Sequence, residues 1–445
     1  MEYKVIIAPW GQPKLWKETS YRYKDCELEK IKSSLFTLYH CLNPDKVIII
    51  GSDSLSESGN TYEHIVCSSK NIILGTIMNT PGSETSGMME KTKIIISYNV
   101  GKFKLNNLQI EGDLGDFYPH VLWNLFNYLW EDIRHLPGDS NIEIYIDLTH
   151  GQNFMPTLTH KAVDTIASIL SMIYKNIKIT LLNSEPFVIG EERTYDIYEL
   201  SSYIAKPNFY VPPIPVKNDS PDEFDKSFLE PINNSNLPNS PNVFNQINNT
   251  GKMEYNAFSA SMQRGLLMGI YKFFPNLSKL KRAIEDIFNF YEQSIVVKFN
   301  QEKCIRQVRK HYRFSDNFDK LIQIHILGLM AQKAGVSCRR NVVDLGSLYD
   351  LNYKLYYNDA VLYYLVKNEL DKLNNPDKSP KCKQTRSDDK HKLIRNIMAH
   401  ALFINGIIEY KDGCARWCVD NQVRYESGRK SISIAELLTE TLNIT

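Results

Sequence analysis

The chain has 445 residues, a length that suggests two or three domains. Its 43% hydrophobic and 23% charged residues describe a globular protein rather than a disordered or fibrous one. The net charge is only +1, and no apolar run approaches the roughly 20 residues that span a bilayer, so no membrane partner is expected. The first residues, Met1 to Ile7, run directly into a strand-like segment without a secretory pattern, so a cytoplasmic location is expected.

The near-zero charge hides an asymmetry. Residues 291–445 hold 25 Lys and Arg against 18 Asp and Glu, which leaves the preceding residues acidic. A basic end permits a nucleic-acid site but equally permits a solvated surface.

Strand-like and helix-like stretches alternate over residues 1–205. Tyr3–Ala8 is an Ile/Val-rich strand ending in the rigid loop Pro9-Trp10-Gly11-Gln12-Pro13, and a helix is expected around Leu28–Cys41. Val47–Ile50 is a second strand, closed by Gly51-Ser52-Asp53-Ser54, and Ile94–Ser97 is a third. Phe117–Trp130 reads as an amphipathic helix, Ile142–Ile146 as a strand, Ala162–Tyr174 as a helix, and Ile177–Leu182 as the last strand. Continuous Ile/Val runs without polar alternation imply strands covered on both faces. The expectation is an α/β Rossmann-like domain.

Residues 206–250 carry eight of the 19 prolines and many asparagines, so they read as a linker or surface excursion. Residues 251–445 read as mainly α-helical, with helices over Phe258–Phe273, Leu277–Val297, Asn317–Lys333, Ala360–Leu373, Lys390–Ile404 and Ile432–Leu442. Asp412-Gly413 predicts a tight hairpin.

The eight cysteines are spread along the chain without a C-x-x-C pair, and buried free thiols are the simplest expectation, with a Cys414–Cys418 link only weakly signalled. The ten histidines are scattered without H-E-x-x-H, so no metal site is expected. No G-x-G-x-x-G or P-loop follows a strand, which disfavours dinucleotide cofactors and NTP hydrolysis, and no G-x-S-x-G supports a serine hydrolase.

Ligands of open α/β sheets sit outside the carboxyl ends of the strands. Three loops fall there: Trp10, Gly11 and Gln12; Gly51, Ser52, Asp53 and Ser54; and, after Asp147-Leu148, the run Thr149, His150, Gly151, Gln152 and Asn153. Hydroxyl, imidazole and amide groups beside a glycine and a helix start suit a phosphodiester or a nucleobase edge. Local capping by Thr149 and Asn153 is the alternative. Trp10 and Trp16 flank the first loop, where a core role competes with stacking on a base.

The strand followed by Asp147-Leu148-Thr149-His150-Gly151-Gln152-Asn153 resembles the signature of CRISPR-associated Rossmann-fold (CARF) domains. The resemblance covers roughly residues 1–200. It implies an allosteric cyclic oligoadenylate ligand, with cyclic tetra-adenylate the expected ring, and no other cofactor.

A second pattern lies in the C-terminal region. Arg395-Asn396-Ile397-Met398-Ala399-His400 resembles the Arg-to-His mark of HEPN ribonucleases, although Arg306…His311 and Arg386…His391 share its spacing. Arg306–Arg313 is a basic run that reads as a solvated face or a phosphate-contacting patch, and Arg386–His391 straddles a polar loop. Only Arg395 and His400 sit in an apolar-periodic helix with an amide directly after the arginine. Metal-independent RNA cleavage needs a group that moves protons, which His400 supplies, and a cation for the developing phosphorane charge, which Arg395 supplies. Asn396 lies one helical turn before His400 and can orient it. Five residues apart on a helix, Arg395 and His400 lie about 140° apart, so one helix does not bring them together. Two copies across a two-fold axis would.

Together the two resemblances imply a CARF–HEPN endoribonuclease of type III CRISPR antiviral defence. It would cut single-stranded RNA to 2′,3′-cyclic phosphates and work as a homodimer or a larger assembly. The expected architecture is an α/β Rossmann-like sensor at 1–205, a linker at 206–250 and a mainly α-helical HEPN region at 251–445. The competing expectations are a CARF-type DNA-binding transcription regulator, resting on the run Arg306–Arg313, and a small-molecule α/β enzyme.

Overall fold

A computed structural model describes residues 1–80, 85–105, 107–188, 190–191, 193–208, 210–216, 228–232, 247–301, 305–375, 379–382, 389–418, 422–425 and 430–443. The N-terminal strands are β1 (Glu2–Pro9), β2 (Thr19–Tyr23), β3 (Cys26–Ile31), β4 (Lys46–Ser52), β5 (Thr92–Ser97), β6 (Gly101–Leu105), β7 (Leu108–Gly112), β8 (Asn141–Asp147), β9 (Asn176–Ser184) and β10 (Thr194–Ile204). They are interleaved with helices α1 (Ser34–Leu42), α2 (Tyr62–Met78), α3 (Thr85–Lys91), α4 (Leu114–Ile133) and α5 (Phe154–Leu170).

Eight of these strands form one sheet in the order β3-β2-β10-β9-β8-β1-β4-β5. β9, β8, β1, β4 and β5 run parallel. The chain builds outward from β1 to β4 and β5, then returns to β8 on the other flank of β1. The β1/β8 boundary is therefore the topological switch point of the sheet, the place where open α/β sheets seat ligands. Alternate side chains of β1 and β4 enter opposite cores, which is why the Ile/Val runs lack polar alternation. Ile6, Ala8, Val47 and Ile49 pack with α1 and α2, whereas Val5, Ile7, Ile48 and Ile50 pack with α4 and α5.

Ile177–Leu182 is not the last strand. Thr194–Ile204 pairs antiparallel with β9, and its exposed polar half explains why no buried-strand pattern marked it.

Downstream lie β11 (Leu229–Pro231), α6 (Asn249–Arg264), α7 (Leu267–Lys272), α8 (Leu277–Gln293), β12 (Val296–Asn300), β13 (Ile305–Arg309), β14 (Tyr312–Phe314), α9 (Phe318–Lys333), β15 (Val342–Asp344), α10 (Leu345–Tyr356), α11 (Ala360–Leu373), α12 (Lys390–Ala399), β16 (Ile408–Lys411), β17 (Cys414–Trp417), β18 (Gln422–Tyr425), β19 (Lys430–Ser433) and α13 (Ile434–Glu440). The region is rich in helix but threaded by short strands. The single helix expected over Phe258–Phe273 is broken at Gly265, whose φ of +68° caps α6. The hairpin at Asp412-Gly413 forms with both residues at positive φ.

Two features tie the halves together. A four-stranded sheet of order β12-β13-β7-β6 takes two strands from each. One continuous apolar core also reaches from Tyr3 to Leu438. Within the Pro/Asn-rich stretch, residues 217–227 and 233–246 lie outside the described residues. Val211, Ile214, Phe228 and Leu229 are buried, and the Asn256 amide bonds both the N–H and C=O of Ile214 at 2.8 Å.

The expectation of free cysteines is corrected at two places, where Cys26 pairs with Cys41 and Cys382 with Cys418. Cys414 is a free, half-buried thiol, so the Cys414–Cys418 link does not form, and free Cys67 and Cys338 are exposed rather than buried.

Candidate functional site

The first and third loops meet at the β1/β8 switch point. The Trp10 N–H donates to Ile50 O at 2.8 Å and the Gly11 N–H to His150 O at 2.8 Å, so the loop after β1 is stitched to both neighbours. A Cβ on Gly11 would meet Gln152 Cγ at 2.9 Å and His150 O at 3.1 Å, and one on Gly151 would meet Pro156 Cγ at 2.5 Å. Gly11 is thus required by the close approach of the two loops, and Gly151 by the first turn of α5. Gln12 Nε2 reaches Ser54 O at 3.5 Å, joining the first loop to the second.

Asp147, at the end of β8, is buried and organises the third loop. Its carboxylate accepts from Ser34 Oγ at 2.7 Å and from the Thr149 N–H at 3.1 Å. Thr149 Oγ1 accepts from the Ser184 N–H at 3.1 Å and so anchors the loop to β9. The His150 ring lies 4.3 Å from Trp16, and its Nε2 accepts from the Ser34 N–H at the start of α1 at 3.3 Å. That bond fixes the proton on Nδ1. Burial pushes the His150 pKa down to about 4 against the opposing pull of Asp147, so the imidazole is neutral at pH 7. Asn153 precedes α5 with its side chain exposed and not engaged as a helix cap. The third loop therefore offers neutral donors and acceptors at a helix start, which suit phosphodiester oxygens or base edges.

The second loop serves differently. Gly51, Ser52, Asp53 and Ser54 are all buried. A Cβ on Gly51 would strike Ile73 Cδ1 at 2.6 Å, so this glycine lets α2 pack on the strand end. Asp53 accepts from the Asn99 N–H at 2.8 Å and from Tyr62 Oη at 3.1 Å. Trp10 is fully buried against Trp16 and Phe36, with centroid separations of 5.1 and 6.3 Å, so its ring belongs to the core and Trp16 is the partly open one.

Asp53 also begins a buried polar chain that leads into the C-terminal region. Tyr62 stacks on Tyr98 at 6.3 Å, and Tyr98 Oη donates to Glu292 Oε1 of α8 at 3.1 Å. The Lys310 ammonium sits 5.0 Å from the Tyr98 centroid and 3.7 Å from Asp116 Oδ2, with side-chain exposures of 2% for Lys310 and 0% for Asp116. Asp116 Oδ1 accepts from the Phe314 N–H at 3.1 Å. Burial pushes the carboxyls of Asp53 and Asp116 above the ordinary range, and the Lys310 charge is the main opposing influence on each. His120, packed on Tyr98 at 4.7 Å, falls to about 3 through burial and then through Lys310.

This arrangement corrects the reading of Arg306–Arg313 as a uniformly solvated basic face, although Arg309 and Arg313 remain exposed. Lys310 points inward, Arg313 pairs with Glu230 at 2.8 Å, and Arg306 Nε donates to Asn60 Oδ1 at 2.9 Å. The strand alternation of β13 and β14 splits the charges between interior and exterior. No motif in the sequence pointed to the Asp53–Lys310 chain. Its only trace was a lysine at an inward position of an alternating run.

The second candidate group lies on α12. Leu393, Ile394 and Ile397 bury one side of the helix, and Arg395 and Asn396 are exposed. The helix ends at Ala399 rather than Ile404, so His400 is its C-cap and the helical angle between Arg395 and His400 no longer applies. The reversal places Ala401 at φ +46° and Leu402 at φ +77°, two strained, buried residues directly after the histidine. His400 is half exposed, and its Nδ1 lies 3.1 Å from Glu369 Oε2 on α11. Glu369, 9% exposed at its side chain, also bonds Lys372. A carboxylate on Nδ1 orients the ring and leaves Nε2 toward solvent, the atom that can exchange a proton with a substrate. Glu369 escaped the sequence reading because nothing in its spacing from His400 connects the two helices.

Among the described residues no group of three or more His, Cys, Asp or Glu is placed to hold a metal ion, and no helix is long and apolar enough to cross a membrane.

Residues 5–186 match the family described as "CRISPR system endoribonuclease Csx1, CARF domain". Over 431 residues, covering 91% of this chain and 86% of the other, the sequence is 27% identical to a protein of Methanocaldococcus jannaschii named CRISPR system endoribonuclease Csx1.

Proposed function

We propose, from the premise that residues 5–186 form a CARF domain of the Csx1 type, that this chain is a ligand-gated endoribonuclease of type III CRISPR defence. The ligand is a cyclic oligoadenylate seated at the β1/β8 switch point against Gln12, Trp16 and Thr149–Asn153. A two-fold symmetric ring matches two copies of the chain facing each other across an axis. The buried second loop, Gly51–Ser54, acts as the floor that responds to occupancy. A ligand shifts activity only through different affinities for the resting and active arrangements.

The cleavage centre is formed by Arg395, Asn396 and His400 from paired copies in a HEPN-type arrangement. The substrate's 2′-hydroxyl loses its proton to an imidazole and bonds to phosphorus. The bond to the 5′-oxygen breaks, and that oxygen takes up a proton. Arg395 stabilises the charge that grows on the non-bridging oxygens, and the reaction uses no metal. Glu369 is the positioning residue for His400.

The observation that carries this reading is the exposed Arg395/His400 pair, with His400 oriented by buried Glu369, in a chain whose N-terminal domain is of the Csx1 CARF type. The test is analysis of cut RNA ends. The reading expects 2′,3′-cyclic phosphate and 5′-hydroxyl termini in EDTA, absent with Arg395→Ala or His400→Ala. Full activity in the His400→Ala protein would remove the catalytic assignment.

A further inference from the structure

A cavity of about 700 Å3 opens two residues beyond Gln12, between Lys14, the loop after β4 and α2. Lys14, Glu57, Asn60 and His64 line it from the N-terminal domain, and Arg306 lines it from β13. Arg306 is the cavity's contribution from the C-terminal region, set in place by backbone pairing. β13 runs parallel to β7, and the Arg306 N–H donates to Asn107 O at 2.7 Å. Its guanidinium is held by Asn60 Oδ1 at 2.9 Å through Nε and by the Phe299 ring at 5.7 Å. Lys14 is neutralised by Glu57 at 2.9 Å, whereas Arg306 has no carboxylate partner among the described residues. The cavity therefore has a net positive wall, and the cation responsible belongs to the region that carries Arg395 and His400.

We infer that this cavity is a phosphate subsite of the nucleotide ligand, in which Arg306 reaches across from the C-terminal region to contact a phosphodiester directly. The inference rests on the ligand-binding reading above and specifies how occupancy is registered. Guanidinium is planar, permanently charged and suited to two-point contact with phosphate oxygens. Four residues along the same segment, Lys310 is buried against Asp116 and Tyr98; Tyr98 bonds Glu292 of α8 and stacks on Tyr62, which bonds Asp53 of the second loop. A pull on Arg306 is thus delivered to the buried chain that joins the halves. The basic run thereby acquires a role as a ligand-reading strut.

The test measures binding of fluorescent cyclic tetra-adenylate to the full-length protein at several salt concentrations. Arg306→Gln, Arg306→Lys and the neighbouring control Arg309→Gln are compared, each checked for an unchanged melting midpoint. Arg309 is exposed on the same strand but does not line the cavity. Arg306→Gln is expected to weaken binding about tenfold and to reduce the salt slope by roughly 0.7, the loss of one phosphate contact. Arg306→Lys should recover part of the affinity, and Arg309→Gln should bind as the wild type does. Wild-type binding with Arg306→Gln within twofold of it, or equal losses in Arg306→Gln and Arg309→Gln, would overturn the inference alone. Failure of the wild-type protein to bind would overturn the functional reading and this inference with it.

Discussion

Replacing Lys310 by methionine isolates the energetic role of the buried chain. The ammonium and the Asp116 carboxylate lie 3.7 Å apart, with 2% and 0% of their side chains exposed. At an effective dielectric of about 20 that separation corresponds to about 4.5 kcal/mol of attraction. Methionine fills a similar volume, so little packing is lost, but Asp116 is left with an uncompensated charge. Breaking one partner of a buried pair typically costs about 3–5 kcal/mol, and that is the expected loss for Lys310→Met at pH 7.5. The sign of its pH dependence follows from Asp116, whose folded pKa is already raised by burial and is held back mainly by Lys310. Removing Lys310 raises it further. A carboxyl with a raised folded pKa favours the folded state most below its unfolded pKa, and that contribution is lost as pH rises through the folded pKa. The penalty of Lys310→Met is therefore largest at pH 7.5 and shrinks toward pH 4.5. Adding Asp116→Asn should recover much of the loss. The assay is urea unfolding of the wild type and the two variants at both pH values. A cost below about 1 kcal/mol at pH 7.5, or one independent of pH, would refute the reasoning.

Two other variants and conditions probe the two candidate sites. Glu369→Gln keeps the shape but removes the carboxylate facing His400 Nδ1, so kcat for RNA cleavage should fall about tenfold or more with KM little changed. Glu369→Asp should restore part of kcat, and a Glu369→Gln rate within twofold of wild type would refute the positioning role. His150, with a pKa near 4, should remain neutral from pH 8 to pH 5 by NMR of its ring. Because its folded pKa is depressed, its contribution is present above pH 6.5 and lost as pH falls through about 4. That contribution is at most about 3 kcal/mol and smaller for a ring that is partly open to solvent. An imidazolium signal at pH 6 would contradict the Ser34 N–H to Nε2 bond.

What could be read from the sequence divides along the range of the interactions. Continuous runs such as Val47–Ile50 announce parallel strands because both of their faces are buried, and the loops at their ends follow from fold geometry. Arg395, Asn396 and His400 were singled out by spacing and an apolar-periodic pattern, although α12 carries only the first two and His400 caps it. The inward turn of Asp53 was not, because it depends on Tyr62, Asn99 and Lys310 converging from three other segments. The same holds for Glu369, which meets His400 only through packing of α11 on the turn after α12. β6 and β7 were missed because many of their residues face solvent and the strand that pairs with β7, β13, lies nearly 200 residues away. The helix end at Ala399 was hidden because Ala401 and Leu402 are apolar and buried, continuing the stripe through a left-handed turn.

The central claim is that ligand occupancy of the N-terminal switch point controls RNA cleavage by the C-terminal region. Its most direct measurement is the rate of single-stranded RNA cleavage by the full-length protein in EDTA, with and without cyclic tetra-adenylate, beside His400→Ala. The account predicts a rate that rises at least tenfold with the ligand and is lost in the variant. Tight ligand binding with no change in the cleavage rate would contradict it.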